Sequence, residues 1–325
     1  MIFRTLLRAA RLALAAAALM SGAANAEDYP SKEIHFICGF PAGTGADTIV
    51  RYYAEKLRPI IGRTILVENR PGAGANIAIE YVAKSKPDAY TILVHGGSGL
   101  ASNMHVYKKP PVPTVDAFQI FATINQQAFM LVVDAAKPWT TVAELTAAMK
   151  QKGDRATYGS GAPASVVLGA IYKAAAGLSS VEVNYKQSSD VMNDMLGGTV
   201  DYAVMEPIFA TAQHRQGKLR VLAVSSEQRL AAAPDFPTMV EAGIPGASMS
   251  LWWAGMVPAT TPKPIIAQLN KWFDQVTATE ETKKFLNGFA SDPFIATPEA
   301  AQAKLRADEK AWAEYMRIAK LEPQG

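Results

Sequence analysis

The residues of this chain best placed to do chemistry are small ones in two glycine-rich turns. The first is Phe40-Pro41-Ala42-Gly43-Thr44-Gly45-Ala46-Asp47, which follows the apolar run Glu33–Gly39 and precedes a helical pattern. The second is Ser160-Gly161-Ala162-Pro163-Ala164-Ser165, again between a strand-like run and a helical pattern. A strand that turns on glycine into a helix presents unpaired backbone N–H groups and the positive end of a helix dipole. The chemistry that follows is anion binding, and two such turns suit a ligand with two anionic ends. Dinucleotide pyrophosphate, nucleotide phosphate and small carboxylate are all open at this point.

The motifs of the common enzyme classes are incomplete in these and the other residues. Gly43-Thr44-Gly45-Ala46-Asp47-Thr48 begins as G-x-G-x-x-G but places Thr48 where the third glycine must pack helix on strand, although Glu68 stands near a ribose-binding position. No string carries Gly-Lys-Ser/Thr after the spacer of a phosphate loop. Gly96–Leu100 fails the nucleophile-elbow pattern at Leu100. The four histidines, His35, His95, His105 and His214, show no H-E-x-x-H pairing and read as surface or loop residues, so neither a metal nor a cofactor is expected. Cys38, the single cysteine, sits in an apolar run and reads as a core thiol. An exported α/β hydrolytic enzyme assembled from scattered residues stays as the alternative; the main reading is not an enzyme.

The elements that must position the turns alternate. "EIHFICG", "TILVEN" and "YTILVHG" read as strands; "TIVRYYAEKLRPII", with Ile49, Val50, Tyr53 and Leu57 on one face and Gly62 as its stop, reads as a helix, as does "ANIAIEYVAKS". "FMLVVDA", "ATYGS", "VEVNYK", "VDYAVME" and "LRVLAVSS" continue as strands. Between them lie helices, one opened by Thr141 with Glu144 in capping-box spacing. Such alternation argues for βαβ units, with ligands at the carboxyl ends of the strands. In the strand-like "SMSLWWAGMVPA", alternation assigns one of Trp252 and Trp253 to the core and the other to the surface or a cleft.

The first residues set the compartment. Arg4, Arg8 and Arg11 precede the apolar Leu12–Met20, and Ala24-Asn25-Ala26 has the form of a cleavage site. This reads as a secretory signal peptide with cleavage expected after Ala26, its apolar core too short to span a bilayer. Its three arginines account for the formal net charge of +3, so the 299 residues left of 325 are balanced and nucleic acid is not an expected partner.

Taken together, "FPAGTGADTIVR", "VENRPGAGANIA", "KPDAYTILV", "MLGGTVDYAV", "GKLRVLAVSS", "PDFPTMVEAGIPG" and "VPATTPKPI" resemble, in order and spacing, the periplasmic solute receptors of tripartite tricarboxylate transporters, the Bug-type receptors. The resemblance covers essentially the whole mature chain. It implies an α/β, two-lobed periplasmic binding fold of type II, a Venus flytrap with a mainly parallel sheet in each lobe. Lobe 1 would be 27–125 with 228–325, and lobe 2 would be 126–227. It implies a monomeric receptor for a di-, tri- or aromatic carboxylate that delivers to integral membrane transporter subunits, or a ligand sensor for a signalling partner. Ligand carboxylates would be held by backbone amides and waters from Phe40–Asp47 and Ser160–Ser165. Ser98, in a third loop after "YTILVHG", and Met205 and Glu206 complete the candidate site. The chain departs from the family pattern at Ala42 and Thr44, at Ala162–Ala164, and at Met205-Glu206, where the family often carries Asp-Asn. Met at a wall position favours a ligand with an apolar or aromatic body, whereas a bare Glu206 carboxylate would repel an anion. Asp47 has two readings, a ligand contact or a cap on the following helix, and Phe40 could stack on a ligand or pack the hinge.

Overall fold

The apolar, β-branched run at residue 34 forms a strand because both its faces find a core. In the computed structural model, which describes residues 29–110, 112–185 and 187–323, the leader expected over 1–26 lies outside the described residues. The chain opens with β1 (Ile34–Cys38), β2 (Ile65–Asn69), β3 (Thr91–Gly96) and β4 (Phe118–Ala128). It continues with β5 (Met130–Asp134), β6 (Thr157–Ser160), β7 (Val181–Asn184), β8 (Tyr202–Met205) and β9 (Leu219–Val224), and closes with β10 (Ser250–Pro258) and β11 (Asp292–Pro293).

These strands form two sheets, ordered β11-β4-β10-β3-β1-β2 and β7-β6-β8-β5-β9. In the first, β1 pairs parallel with β2 and β3, while β10 runs antiparallel to both β3 and β4. In the second, β6 pairs parallel with β7 and β8, while β5 runs antiparallel to β8 and β9. The two lobes therefore repeat one plan. In each, a strand that has just arrived from the other sheet, β10 or β5, runs against its neighbours; in the first sheet the short edge strand β11 also runs antiparallel to β4.

Side chains alternate across the first sheet into two cores. Ile37, Leu93, Trp252 and Met256 join one, and Phe36, Cys38, Val94 and Trp253 the other. Trp252 and Trp253 are thus both buried, at 0% and 6% exposure. Neither tryptophan reaches the surface, because β10 is interior, with helices on both faces; Trp253 packs on Phe40 and His95 at the first turn. The helix Gly45–Ile61 buries Ile49, Val50, Tyr53 and Leu57 and ends on Gly62 at φ 68, as its sequence pattern requires. Elements the sequence reading passed over are β4, the helix Gly97–Val106 and the helix Glu280–Asn287.

The chain crosses between sheets at Phe129 and again beyond Val224. Ser225 stitches the crossings: its hydroxyl accepts from Phe129 N at 3.0 Å and donates to Met249 O at 2.8 Å. Its backbone N–H donates to Phe129 O at 2.8 Å, and its carbonyl accepts from Met249 N at 2.6 Å. The last helix, Pro298–Ala319, packs on both Gly97–Val106 and Pro163–Ala176, and Trp252 donates its indole N–H to Asp308 on it.

Candidate functional site

The first turn is built by short-range hydrogen bonds. Gly43 has φ +81, a conformation glycine takes freely, and its N–H donates to Asp47 Oδ2 at 2.9 Å. Thr44 caps the helix, accepting from Asp47 N at 3.4 Å while its hydroxyl donates to Pro41 O at 2.7 Å. Asp47 also accepts from Arg51 Nε at 2.8 Å and from Asn69 Nδ2 at 2.8 Å. Asn69, at the carboxyl end of β2 beside Cys38 of β1, donates to Phe40 O at 2.9 Å as well. Burial opposes the charge of Asp47, but the bonds from Arg51, Gly43 and Asn69 together hold its carboxyl below the usual range. Its oxygens thus fix the turn. The exposed Pro41, Ala42 and Gly43, and the first-turn amides of Gly45 and Ala46, which have no intrahelical acceptor, form the accessible edge.

The second turn is barer. Ser160 is fully buried and donates its hydroxyl to Glu182 Oε1 at 2.6 Å. Ala162 stands at the N-cap with extended φ −152 and no side-chain cap, and Pro163 is the first helical residue. The amides of Ala164 and Ser165 thus lack both a side-chain and an intrahelical acceptor, and Pro163 has no N–H to offer. Gly161 lies against Gln187 and Ser188, within 3.6 Å and 3.8 Å of where a Cβ would stand.

A third turn joins the two. β8 neighbours β6 in parallel, so the turn after Met205 lies beside the second loop. Glu206 caps the helix Pro207–Arg215, accepting from Ile208 N and Phe209 N at 2.9 Å each. Burial pushes its carboxyl up to about 7, against the effect of the Phe209 and Ile208 amides. The Ile208 side chain lies against the first turn: a Cβ on Gly45 would lie 2.5 Å from its Cγ2. Met205 is buried in a third apolar cluster, against the second sheet, opposite Met130.

At the carboxyl end of β3, Ser98 lies not in a loop but in the first turn of Gly97–Val106, 5% exposed. His95, 3% exposed and so not the surface or loop residue its sequence suggested, stacks on Phe40 at 5.2 Å and on Trp253 at 5.9 Å. Burial lowers its pKa, and its Nδ1 lies 2.9 Å from Gly96 O, which makes Nδ1 the donor of a neutral ring. Sequence reasoning missed Asn69, Arg51 and Ile208, and it placed His95 at the surface or in a loop. For Asn69 the signal was present: a polar residue ending a strand next to β1 must face the first turn.

The profile of a family described as "Tripartite tricarboxylate transporter family receptor" matches residues 49–320. The chain belongs to this receptor family. A UPF0065 protein of Bordetella pertussis is 31% identical to this receptor over 286 residues, 87% of this chain and 88% of that protein. BugT of the same organism is 29% identical, covering 90% and 91%. Among solved structures, an R. palustris protein determined with adipate superposes with a TM-score of 0.84 and 25% identity, covering 91% of this chain and 100% of that one. The periplasmic binding protein BugD superposes at 0.81 with 29% identity over 91% and 100%. The chain therefore has the two-lobed α/β fold of periplasmic binding proteins, as BugD has.

Proposed function

We propose that this chain is a periplasmic receptor that captures a small organic carboxylate between its two lobes and presents it to membrane transporter subunits. Lobe 1 would be 27–125 with 228–325 and lobe 2 would be 126–227, with the cleft lined by Phe40–Asp47 and Ser160–Ser165. The observation that carries this reading is the pair of helix N-termini on different sheets, Gly45 and Pro163, linked through the Ile208–Gly45 contact. Each offers backbone amides and a dipole end to an anion, and hydrogen bonds to a charged acceptor contribute about 1.5–3 kcal/mol each. Contacts drawn from both lobes form only on closure, so ligand stabilises the closed state. The adipate found with a relative 25% identical supports a dicarboxylate or a similar body. Half-buried Phe40, beside the exposed Pro41 and Ala42, gives such a body an apolar neighbour.

The test is a thermal-shift screen of the mature protein against adipate, malate, citrate and benzoate-type acids. At a hundredfold excess over Kd a true ligand stabilises by about 2.7 kcal/mol. A rise in Tm with at least one acid is expected. No rise with any, together with turnover of an ester or phosphate substrate, would establish the hydrolytic alternative instead.

A further inference from the structure

The chain leaves β3 through Gly96-Gly97-Ser98-Gly99, which opens the helix Gly97–Val106. Two of these glycines have packing reasons. A Cβ on Gly97 would collide with the Trp252 ring, and one on Gly99 would lie 2.7 Å from His95 Cε1. Gly96 has no such reason. Its φ −66 and ψ 121 suit any L-residue, and a Cβ there would meet only Trp252 O at 3.7 Å, Gly99 N at 3.8 Å and Ser98 Oγ at 3.9 Å. There is room for a methyl group that the chain does not use, bordered by two donors and one carbonyl.

This room lies beside the first turn. β3 pairs in parallel with β1, Leu93 level with Ile37, and the same register carried three residues further sets Gly96 level with Phe40. His95, one residue earlier, stacks on the Phe40 ring. β3 is also an interior strand, between β10 and β1, and its carboxyl end is the ligand side of an open α/β sheet. Ser98 is 5% exposed, yet among the described residues none bonds to its hydroxyl. A buried hydroxyl without a partner costs free energy unless something else accepts from it. The helix behind it has neither a side-chain cap nor an acidic residue in its first turn. The Ser98 and Gly99 amides therefore lack acceptors, and the positive end of the helix dipole is uncompensated.

We propose that the space over Gly96 is a subsite for a second carboxylate. The Ser98 hydroxyl and the Gly99 N–H donate to its oxygens, and the Trp252 carbonyl repels them and so fixes which way the group turns. The first carboxylate of the same ligand rests on the amides of the Gly45 and Pro163 helix starts, so the subsite rests on the carboxylate reading above. The receptor then selects dicarboxylates over monocarboxylates of equal chain length.

The experiment is calorimetric titration of the native mature protein, Ser98→Ala and Gly96→Ala with matched acids: succinate and butyrate, glutarate and pentanoate, adipate and hexanoate. The native protein binds at least one diacid about tenfold or more tighter than its monoacid partner. Ser98→Ala removes one donor, and Gly96→Ala fills the space with ordinary contacts. Each lowers the affinity for that diacid about tenfold and leaves its monoacid partner where it was. Loss of packing or of fold would weaken both members of a pair alike. A native protein that binds the two members equally overturns the inference, and so do variants that change both or neither, while the carboxylate reading stands. A native protein that binds no acid of either kind overturns both.

Discussion

At the scale of single residues, the first turn is governed by Asp47 rather than by its glycines. The Asp47 carboxylate joins Gly43, Arg51 and Asn69, so Asp47→Ala breaks three hydrogen bonds at once. Arg51 is half exposed and its ion pair adds little, which leaves an expected loss of about 1.5–3 kcal/mol from the buried bonds, read as a shift of the denaturation midpoint. The depressed pKa gives this contribution a pH sense. It is present above the ordinary carboxylate pKa and lost as pH falls through the lower folded value, so the native protein and Asp47→Ala converge in stability in strong acid. Cys38 gives a second test. Burial pushes its thiol up to about 11, so iodoacetamide at pH 8 labels it only after unfolding. Cys38 was legible from its apolar neighbours; Asp47 reads as a helix cap or a ligand contact, but Thr44 takes the cap and the Asp47 carboxylate ties Gly43, Arg51 and Asn69 instead. His95 and Ile208 were not legible, because what defines them is a partner far along the chain: Trp253 for one, Gly45 for the other.

At the scale of elements, local chemistry wrote most helix boundaries. Thr141 and Glu144 form the capping box that their spacing announced. Thr141→Ala is expected to lower stability by about 1 kcal/mol in chemical denaturation, with the sheet spectrum unchanged. β4 shows where local reading stops. Its eleven residues include Gln119, Thr123, Asn125, Gln126 and Gln127, a composition that reads as connection. Two of those side chains find partners in segments from the other end of the sequence: Thr123 donates to Phe294 O at 2.7 Å, and Asn125 to Ser291 Oγ at 2.7 Å. The helix Gly97–Val106 was hidden for a related reason. Its glycines disfavour helix, but the Trp252 ring leaves no room for a Cβ at Gly97.

At the scale of the whole molecule, the two crossings meet at Ser225. Ser225→Ala leaves Phe129 N and Met249 O without the hydroxyl, and each lost bond costs about 0.5–1.5 kcal/mol. A backbone pair to each crossing remains, so the lobes stay joined while their relative motion loosens, read as faster amide exchange at Phe129 and Met249. The repeated strand order of the two sheets was legible only as alternation of strand and helix. Which strand runs antiparallel depends on where the chain changes sheet, and no local pattern marks Phe129 as that point. The central claim is that backbone amides of both lobes hold one carboxylate ligand together. It is tested most directly by ¹⁵N-resolved NMR titration with the acid that gives the largest thermal shift. The amides of Gly45, Ala46, Ala164 and Ser165 should move together with a single Kd, whereas saturable binding that shifts residues of one lobe alone would contradict the account.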